Sequence, residues 1–248
     1  MKRSIAVVMD PIERINTAKD TSFALMLEAQ RRSYDLFYIE PGSLSVQNAR
    51  AYGRLATLKV KDDKNQYFEL GEWRNMTLAS VDAVLMRKDP PVDDQFIHDT
   101  QILSLAENEG VLVVNRAQGL RDMNEKLTTL LFPQCCPETL VSRSMAELKE
   151  FIRRHGDTVV KPLNGMGGKS IFRIRHGDGN ANVILETLTD SGSLTMAQKF
   201  IPEIAQGDKR ILLVDGEPVP YALARIPQGD EFRGNLAAGG RGQGQPLS

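Results

Sequence analysis

The sequence predicts an α/β protein: an N-terminal α/β domain with a parallel sheet, followed by a region of hairpins. Three observations predict it. Short apolar runs alternate with helical periodicity from Ser4 to Val114. A glycine cluster, Gly165-Met166-Gly167-Gly168, sits between two strand-like runs, and two further apolar runs meet at Asp215-Gly216.

Ser4 to Met9 reads as a strand broken by Asp10-Pro11. Thr21 to Arg32 then places Phe23, Met26, Leu27 and Gln30 at helical spacing behind the cap candidate Asp20. Asp35 to Glu40 reads as a second strand, which makes a parallel crossover unit. Residues 41–80 are polar and weakly patterned. The alternation resumes with a strand at Val81 to Met86, a helix at Asp93 to Asn108 and a strand at Val111 to Val114. Arg87-Lys88-Asp89-Pro90-Pro91 follows a parallel strand at its carboxyl end, where open α/β sheets bind ligands, although a solvated turn explains the same residues.

A helical pattern runs from Gln118 to Phe132 and carries Asn124-Glu125-Lys126. The breaker Pro133 to Pro137 separates it from a strand at Glu138 to Ser142, and the domain boundary falls near residue 120, giving domains 1–120 and 121–248. A helix follows from Ser144 to His155: Ser144 is the cap candidate, Glu147 completes a capping box, and Gly156 ends the helix.

Gly168-Lys169-Ser170 ends like a Walker loop, but Leu163 stands where that loop needs its first glycine. The residues after it, Ile171 to Arg175, read as a strand ending at His176-Gly177-Asp178-Gly179. The unit is therefore strand, glycine tip, strand. Its backbone N–H groups can fold over an anion, with Lys161 on the incoming strand placing an ammonium beside it. A plain hairpin with a long glycine turn is the other reading.

Thr195 to Ile201 is a strand stopped by Pro202, and an edge bearing Gln198, Lys199, Phe200 and Ile201 suits a purine ring. Asp208 to Ile226 is a hairpin with a type I′ turn at Asp215-Gly216. A two-residue turn makes Val214 face Glu217, Arg210 face Tyr221 and Asp208 face Leu223. Arg225 then shares a sheet face with Arg210 and Asp208, as an extended anion or plain solvent exposure would explain. Pro227 to Gly244 has six glycines between Gly229 and Gly244, with Arg233 and Arg241. It cannot build a core, and it reads as a linker or as a mobile lid over a charged intermediate.

The bulk properties narrow the chemistry. At 248 residues with 41% hydrophobic and 25% charged residues, the chain can form two domains. Its 31 basic and 32 acidic residues show no long single-sign run, which argues against a nucleic-acid or membrane partner. The five-residue apolar run Ile5 to Met9 is too short for a signal core or a membrane span, so a cytoplasmic location is expected. Cys135 and Cys136 are adjacent and lack Cys-x-x-Cys spacing, and they read as small apolar residues at a helix-to-strand join. His98, His155 and His176 lack ligand spacing and read as surface or capping residues.

Taken together, the segments LMRKDPP, LRDMNEKL, VVKPLNGMGGKSIFR, GDKRILLVDGEPVPYALARIPQG and RGNLAAGGRG resemble the ATP-grasp ligases, and within them the bacterial-type glutathione synthetases. The resemblance covers nearly the whole chain, including VVMDPIERINTAKDTSFALMLEAQRR at the start. It implies an N-terminal α/β substrate domain followed by an incomplete α+β ATP-grasp fold whose last lobe is missing. It implies ATP contacts at Lys126, Lys161, Gly165, Met166, Gly167 and Gly168, at the hinge Gln198, Lys199, Phe200 and Ile201, and at Asp208 for the ribose. Arg210 and Arg225 resemble the arginines facing phosphate and peptide carboxylate, and Arg233 belongs to the lid, so these three are the catalytic candidates. Asp10, Arg87 and Lys88, with Arg225, are the substrate-binding candidates.

The implied reaction joins glycine to γ-glutamylcysteine through an acyl phosphate, with ATP and Mg²⁺ (or Mn²⁺) as cofactors and a dimer or tetramer as the assembly. Two other readings are a non-catalytic ATP-binding fragment and a different ATP-grasp amino-acid or peptide ligase. The family's metal ligands follow the lid and are expected beyond residue 248; Asp230, Glu231 and Asn235 are poor substitutes, and no metal ligand is assigned.

Overall fold

In the computed structural model, which describes residues 2–247, the chain divides into two units, Met1–Asn124 and Glu125–Ser248. The first unit begins with the crossover: β1 (Ser4–Val8), α1 (Thr21–Arg31) and β2 (Asp35–Ile39), the strands pairing in parallel with Ala6 opposite Phe37. Helix α1 starts where expected, because the Asp20 carboxylate accepts a hydrogen bond from the Phe23 N–H at 2.7 Å. Phe23, Met26 and Ala29 then fall on its buried face.

The stretch 41–80, expected to be weakly patterned, instead forms β3 (Ser45–Gln47), β4 (Arg50–Val60) and β5 (Phe68–Thr77), with β4 and β5 a long antiparallel hairpin. The pairing shifts between Ala56 and Leu58, and the alternation changes phase there. Ala51 and Leu55 therefore join one apolar core, while Leu58 and Val60 join the core on the other side of the sheet. The change of phase hides the period-two signal from a reader of the sequence.

β6 (Ala83–Met86), α2 (Asp94–Asn108), β7 (Leu112–Val114) and α3 (Ala117–Asp122) complete the unit. Strand order is β3-β4-β2-β1-β6-β7, with β5 added to β4. Strands β1, β2, β6 and β7 are parallel, but β3, β4 and β5 run antiparallel, so the sheet is mixed rather than parallel throughout. The helix expected over Gln118 to Phe132 stops at Asp122 and gives way to 3-10 turns at Leu127–Leu131 and Pro133–Cys135. Its second half buries no apolar stripe: Leu130, Leu131 and Phe132 are all exposed.

In the second unit, β8 (Thr139–Ser142), α4 (Met145–His155), β9 (Asp157–Pro162), β10 (Phe172–Arg175), α5 (Ala181–Thr189) and β11 (Thr195–Lys199) form an antiparallel sheet of order β10-β9-β11-β8. Ser144 caps α4 by accepting from the Glu147 N–H. The return arm of the capping box runs through Ser142, whose hydroxyl donates to Glu147 and accepts from the Ser144 N–H at 2.9 Å. Leu148 and Ile152 of α4 and Leu185 and Leu188 of α5 bury one sheet face against Val160, Ile174 and Ala197. By alternation, Val159, Lys161, Met196 and Gln198 occupy the opposite face. His155 is not a surface residue: its side chain is 9% exposed, packs 4.3 Å from the Phe151 ring and lies 3.6 Å from Glu138.

A third sheet contains β12 (Asp208–Val214), β13 (Glu217–Ile226) and β14 (Arg241–Pro246) in that order. The turn has φ 53° at Asp215 and 85° at Gly216, as a type I′ turn requires, and Val214 faces Glu217. Beyond Leu213 the register moves, so that Arg210 faces Leu223, not Tyr221, and Asp208 faces Arg225, not Leu223. Pro218 and Pro220 supply the reason: neither has an N–H for the ladder, and β13 spends two extra residues passing them. The expected lid is also shorter, because Arg241–Pro246 is a strand on β13.

Candidate functional site

Residues of the second unit meet at a cavity of about 490 Å³ whose lining includes Lys126, Lys161, Met196 and Gln198. Lys161, Met196 and Gln198 reach it because β9 and β11 pair with Met196 opposite Lys161. Gln198 is held by donating its amide to Thr139 Oγ1 at 2.9 Å. The end of α3 at Asp122 leaves Lys126 outside any helix. Its ammonium donates to the Leu163 carbonyl at 3.1 Å and the Gly165 carbonyl at 3.4 Å, and it pairs with Glu125.

Burial pushes the Lys161 ammonium below its ordinary value, and the Lys126 charge pushes it further in the same direction. Two cations facing one cavity repel each other, and a polyanion between them would relieve both.

The glycine tip stands beside this cavity. Gly165, Gly167 and Gly168 all have positive φ, which fits a turn whose N–H groups can face an anion. The loop 227–240 folds onto the tip: Arg233 donates to the Gly168 carbonyl at 2.8 Å and pairs with Glu231. That arginine, with two backbone N–H groups, holds the Glu231 carboxyl down to about 2. Phe232 meets Phe200 edge-on at 6.5 Å, and the guanidinium of Arg173 lies 3.5 Å from the centre of the Phe200 ring. Arg173 is fixed in turn by a bidentate pair with Asp157, whose carboxyl it depresses.

Asp208 and Arg225 form an ion pair across β12 and β13, with Arg225 Nε 3.1 Å from Asp208. Arg210 shares their face and is exposed. Lys199 lies 3.8 Å from Glu138, and Met166 and Ile201 are exposed. In the first unit, Asp10 follows β1 and Arg87 follows β6, on the two adjacent strands from which the sheet winds in opposite directions. The Asp10 carboxylate accepts from the Asp89 N–H at 2.8 Å, Arg87 donates to Ser22 at 2.9 Å, and Lys88 donates to the Asp89 carbonyl.

Sequence reading passed over Thr129, Phe132 and Pro137 as cavity lining, and over the Arg173 to Phe200 stack. The arginine was findable, since it lies on the same face as Val159 and so as Lys161. Among the described residues, no three His, Cys, Asp or Glu side chains converge as a metal group. No helix among the described residues is long and apolar enough to cross a membrane.

Comparison with known proteins adds independent findings. Residues 3–121 match the family described as prokaryotic glutathione synthetase, N-terminal domain, and residues 125–248 match its ATP-grasp domain. The chain is 63% identical to a glutathione synthetase of Xanthomonas campestris over 100% of its own length and 79% of the relative's. It is 56% identical to the glutathione synthetase of Salmonella typhimurium over 98% of its length and 78% of that protein's. Among solved structures, D-cycloserine synthetase DcsG superposes with a TM-score of 0.56 at 15% identity, covering 90% of this chain and 68% of that one. A RimK-domain ATP-grasp protein of Sphaerobacter thermophilus gives 0.56 at 16%, covering 92% and 87%. At these identities the two structures speak for the fold alone.

Proposed function

The chain belongs to the prokaryotic glutathione synthetase family, and from that premise we propose how its residues carry the reaction. It is a glutathione synthase, an ATP-dependent ligase. In this reading residues 121–248 form the ATP-grasp domain and residues 1–120 the substrate domain. ATP phosphorylates the cysteinyl carboxylate of γ-glutamylcysteine; the glycine amine then attacks the acyl phosphate carbonyl, and phosphate leaves. A carboxylate oxygen is a poor leaving group, so phosphorylation comes first.

The observation that carries the reading is the convergence of Lys126, Lys161 and Gln198 on one cavity beside the glycine tip. The two lysines would receive the nucleotide phosphates, with Gly165, Met166, Gly167 and Gly168 giving backbone N–H groups. The strand end from Gln198 to Ile201 would border the adenine. Asp208 would meet the ribose, and its pair with Arg225 leaves that arginine positioned for a carboxylate or phosphate. Arg210 and Arg233 would neutralise charge developing on the transferred group, and the loop carrying Arg233 would keep water from the acyl phosphate. Asp10, Arg87 and Lys88 would face the peptide substrate. Mg²⁺ would neutralise phosphate charge in such a transfer.

The test is ADP release by the chain with γ-glutamylcysteine and glycine, in parallel with unrelated dipeptides. Release that depends on both named substrates supports the reading, and equal turnover with unrelated dipeptides overturns the substrate assignment.

A further inference from the structure

The cavity that holds Lys126 and Lys161 is also lined by Cys135 and Cys136. Sequence reading took them as apolar filler. The structure instead leaves both thiols free, Cys135 exposed and Cys136 partly so, at the wall of the nucleotide cavity. Their backbones differ: Cys135 ends the turn Pro133–Cys135, while Cys136 is extended. The Cys136 thiol donates to the Thr129 carbonyl at 3.1 Å, which fixes its direction. Cys136 also lies near enough to Lys161 for a thiolate there to favour the ammonium.

We propose that this cysteine pair is a thiol-modification site of the nucleotide cavity, at which a small anionic disulfide forms a mixed disulfide with Cys135 and excludes ATP. The inference rests on the nucleotide reading of the Lys126 and Lys161 cavity. The chemistry is exchange with no net oxidation. Cys135 gives its proton to water, and the thiolate sulfur attacks one sulfur of the small disulfide. A new S–S bond forms, the old one breaks, and the departing thiolate takes up a proton. Cys135 is the attacking residue because it is the more accessible of the two, and reactivity follows access as well as thiolate character. The class of ligand follows from the wall: Lys126 and Lys161 attract carboxylates into a volume of about 490 Å³, into which an attached group of peptide size would project. The disulfide of a small acidic thiol fits, and the reaction assigned to this chain makes such a thiol.

The full chain is incubated with oxidised glutathione, the adduct is mapped by peptide mass, and ATP binding is measured by calorimetry before and after. One adduct on Cys135 is expected, with ATP affinity lowered at least about tenfold and restored by dithiothreitol. Saturating ATP is expected to slow adduct formation at least about fivefold. The Cys135→Ser chain should bind ATP and be indifferent to oxidised glutathione. An adduct that leaves ATP binding unchanged, or no adduct on Cys135 at large excess, overturns the proposal. If the unmodified chain does not bind ATP, the nucleotide reading fails and this proposal falls with it; the unmodified titration identifies that case.

Discussion

Lys161 sits at a cost to the fold. Its ammonium is half-buried on a sheet face and repelled by Lys126, and both effects lower its proton affinity. A lysine whose folded value is lowered binds fewer protons in the folded than in the unfolded state, so stability rises as pH climbs through the lowered value toward the ordinary 10.5. Below that window the folded protein carries the full penalty. Replacing the charge with an isosteric apolar chain, Lys161→Met, should therefore raise the thermal midpoint by about 2–4 °C, the response to ~1 kcal/mol in a chain of this size. The same change should weaken ATP binding at least about tenfold. Calorimetry on one sample reads both, and a variant that loses stability or keeps its ATP affinity would contradict the assignment. In the unsubstituted protein, ATP affinity should fall as pH rises through the lowered Lys161 value, because the neutral amine no longer attracts phosphate. A pH series of ATP titrations checks the sign.

At the scale of elements, the tip after β9 and the loop before β14 behave as one device, since Arg233 of the loop donates to the Gly168 carbonyl of the tip. Arg233→Met should free both, raising proteolytic cleavage within 163–171 and 227–240 together; cleavage rising in only one would separate them. Two glycines of that loop have no room for a side chain. A Cβ on Gly234 would press on the Arg225 carbonyl and stand 2.9 Å from Asp208, so Gly234→Ala should cost ~1–3 kcal/mol and disturb the Asp208 to Arg225 pair. Urea unfolding reads the loss, and an unchanged midpoint would mean that the loop relaxes freely. The sequence showed these elements unevenly. Asp20 and Ser144 announced α1 and α4, because a cap is a local interaction that needs no distant partner. Strand β4 was illegible because its buried face changes sides between Leu55 and Leu58. Strand β14, Arg-Gly-Gln-Gly-Gln-Pro, has no β-branched or aromatic residue; it is a strand because β13 offers it a ladder. The glycine tip and Lys161 were legible from spacing, whereas the Asp208 to Arg225 pair depended on a register that Pro218 and Pro220 shift.

For the whole molecule, the distribution of buried side chains sets an order of local stability. The seven-stranded sheet is packed on both faces, with Val8, Ile39 and Leu103 in one core and Val7, Phe23 and Met26 in the other. The four-stranded sheet is backed by α4 and α5. The three-stranded sheet buries only Ala222 and Ala224 among its described apolar residues, and leaves Ile211, Leu212, Leu213, Val214 and Tyr221 exposed. Burial supplies most of the free energy that holds strands together, so amides of β12 to β14 should exchange with solvent first, and those of β1, β6, β9 and β11 last. ATP binds at β9 and β11 in the proposed site and should then slow exchange in those strands, in the tip 163–171 and in the loop 227–240. At a hundred times its dissociation constant it adds about 2.7 kcal/mol to any opening that destroys the site. Hydrogen exchange read by mass spectrometry with and without ATP measures both orders. Protection that appeared in the seven-stranded sheet and not around Lys161 would move the nucleotide out of the second unit, and with it the roles assigned to Lys126, Gln198 and the glycine tip.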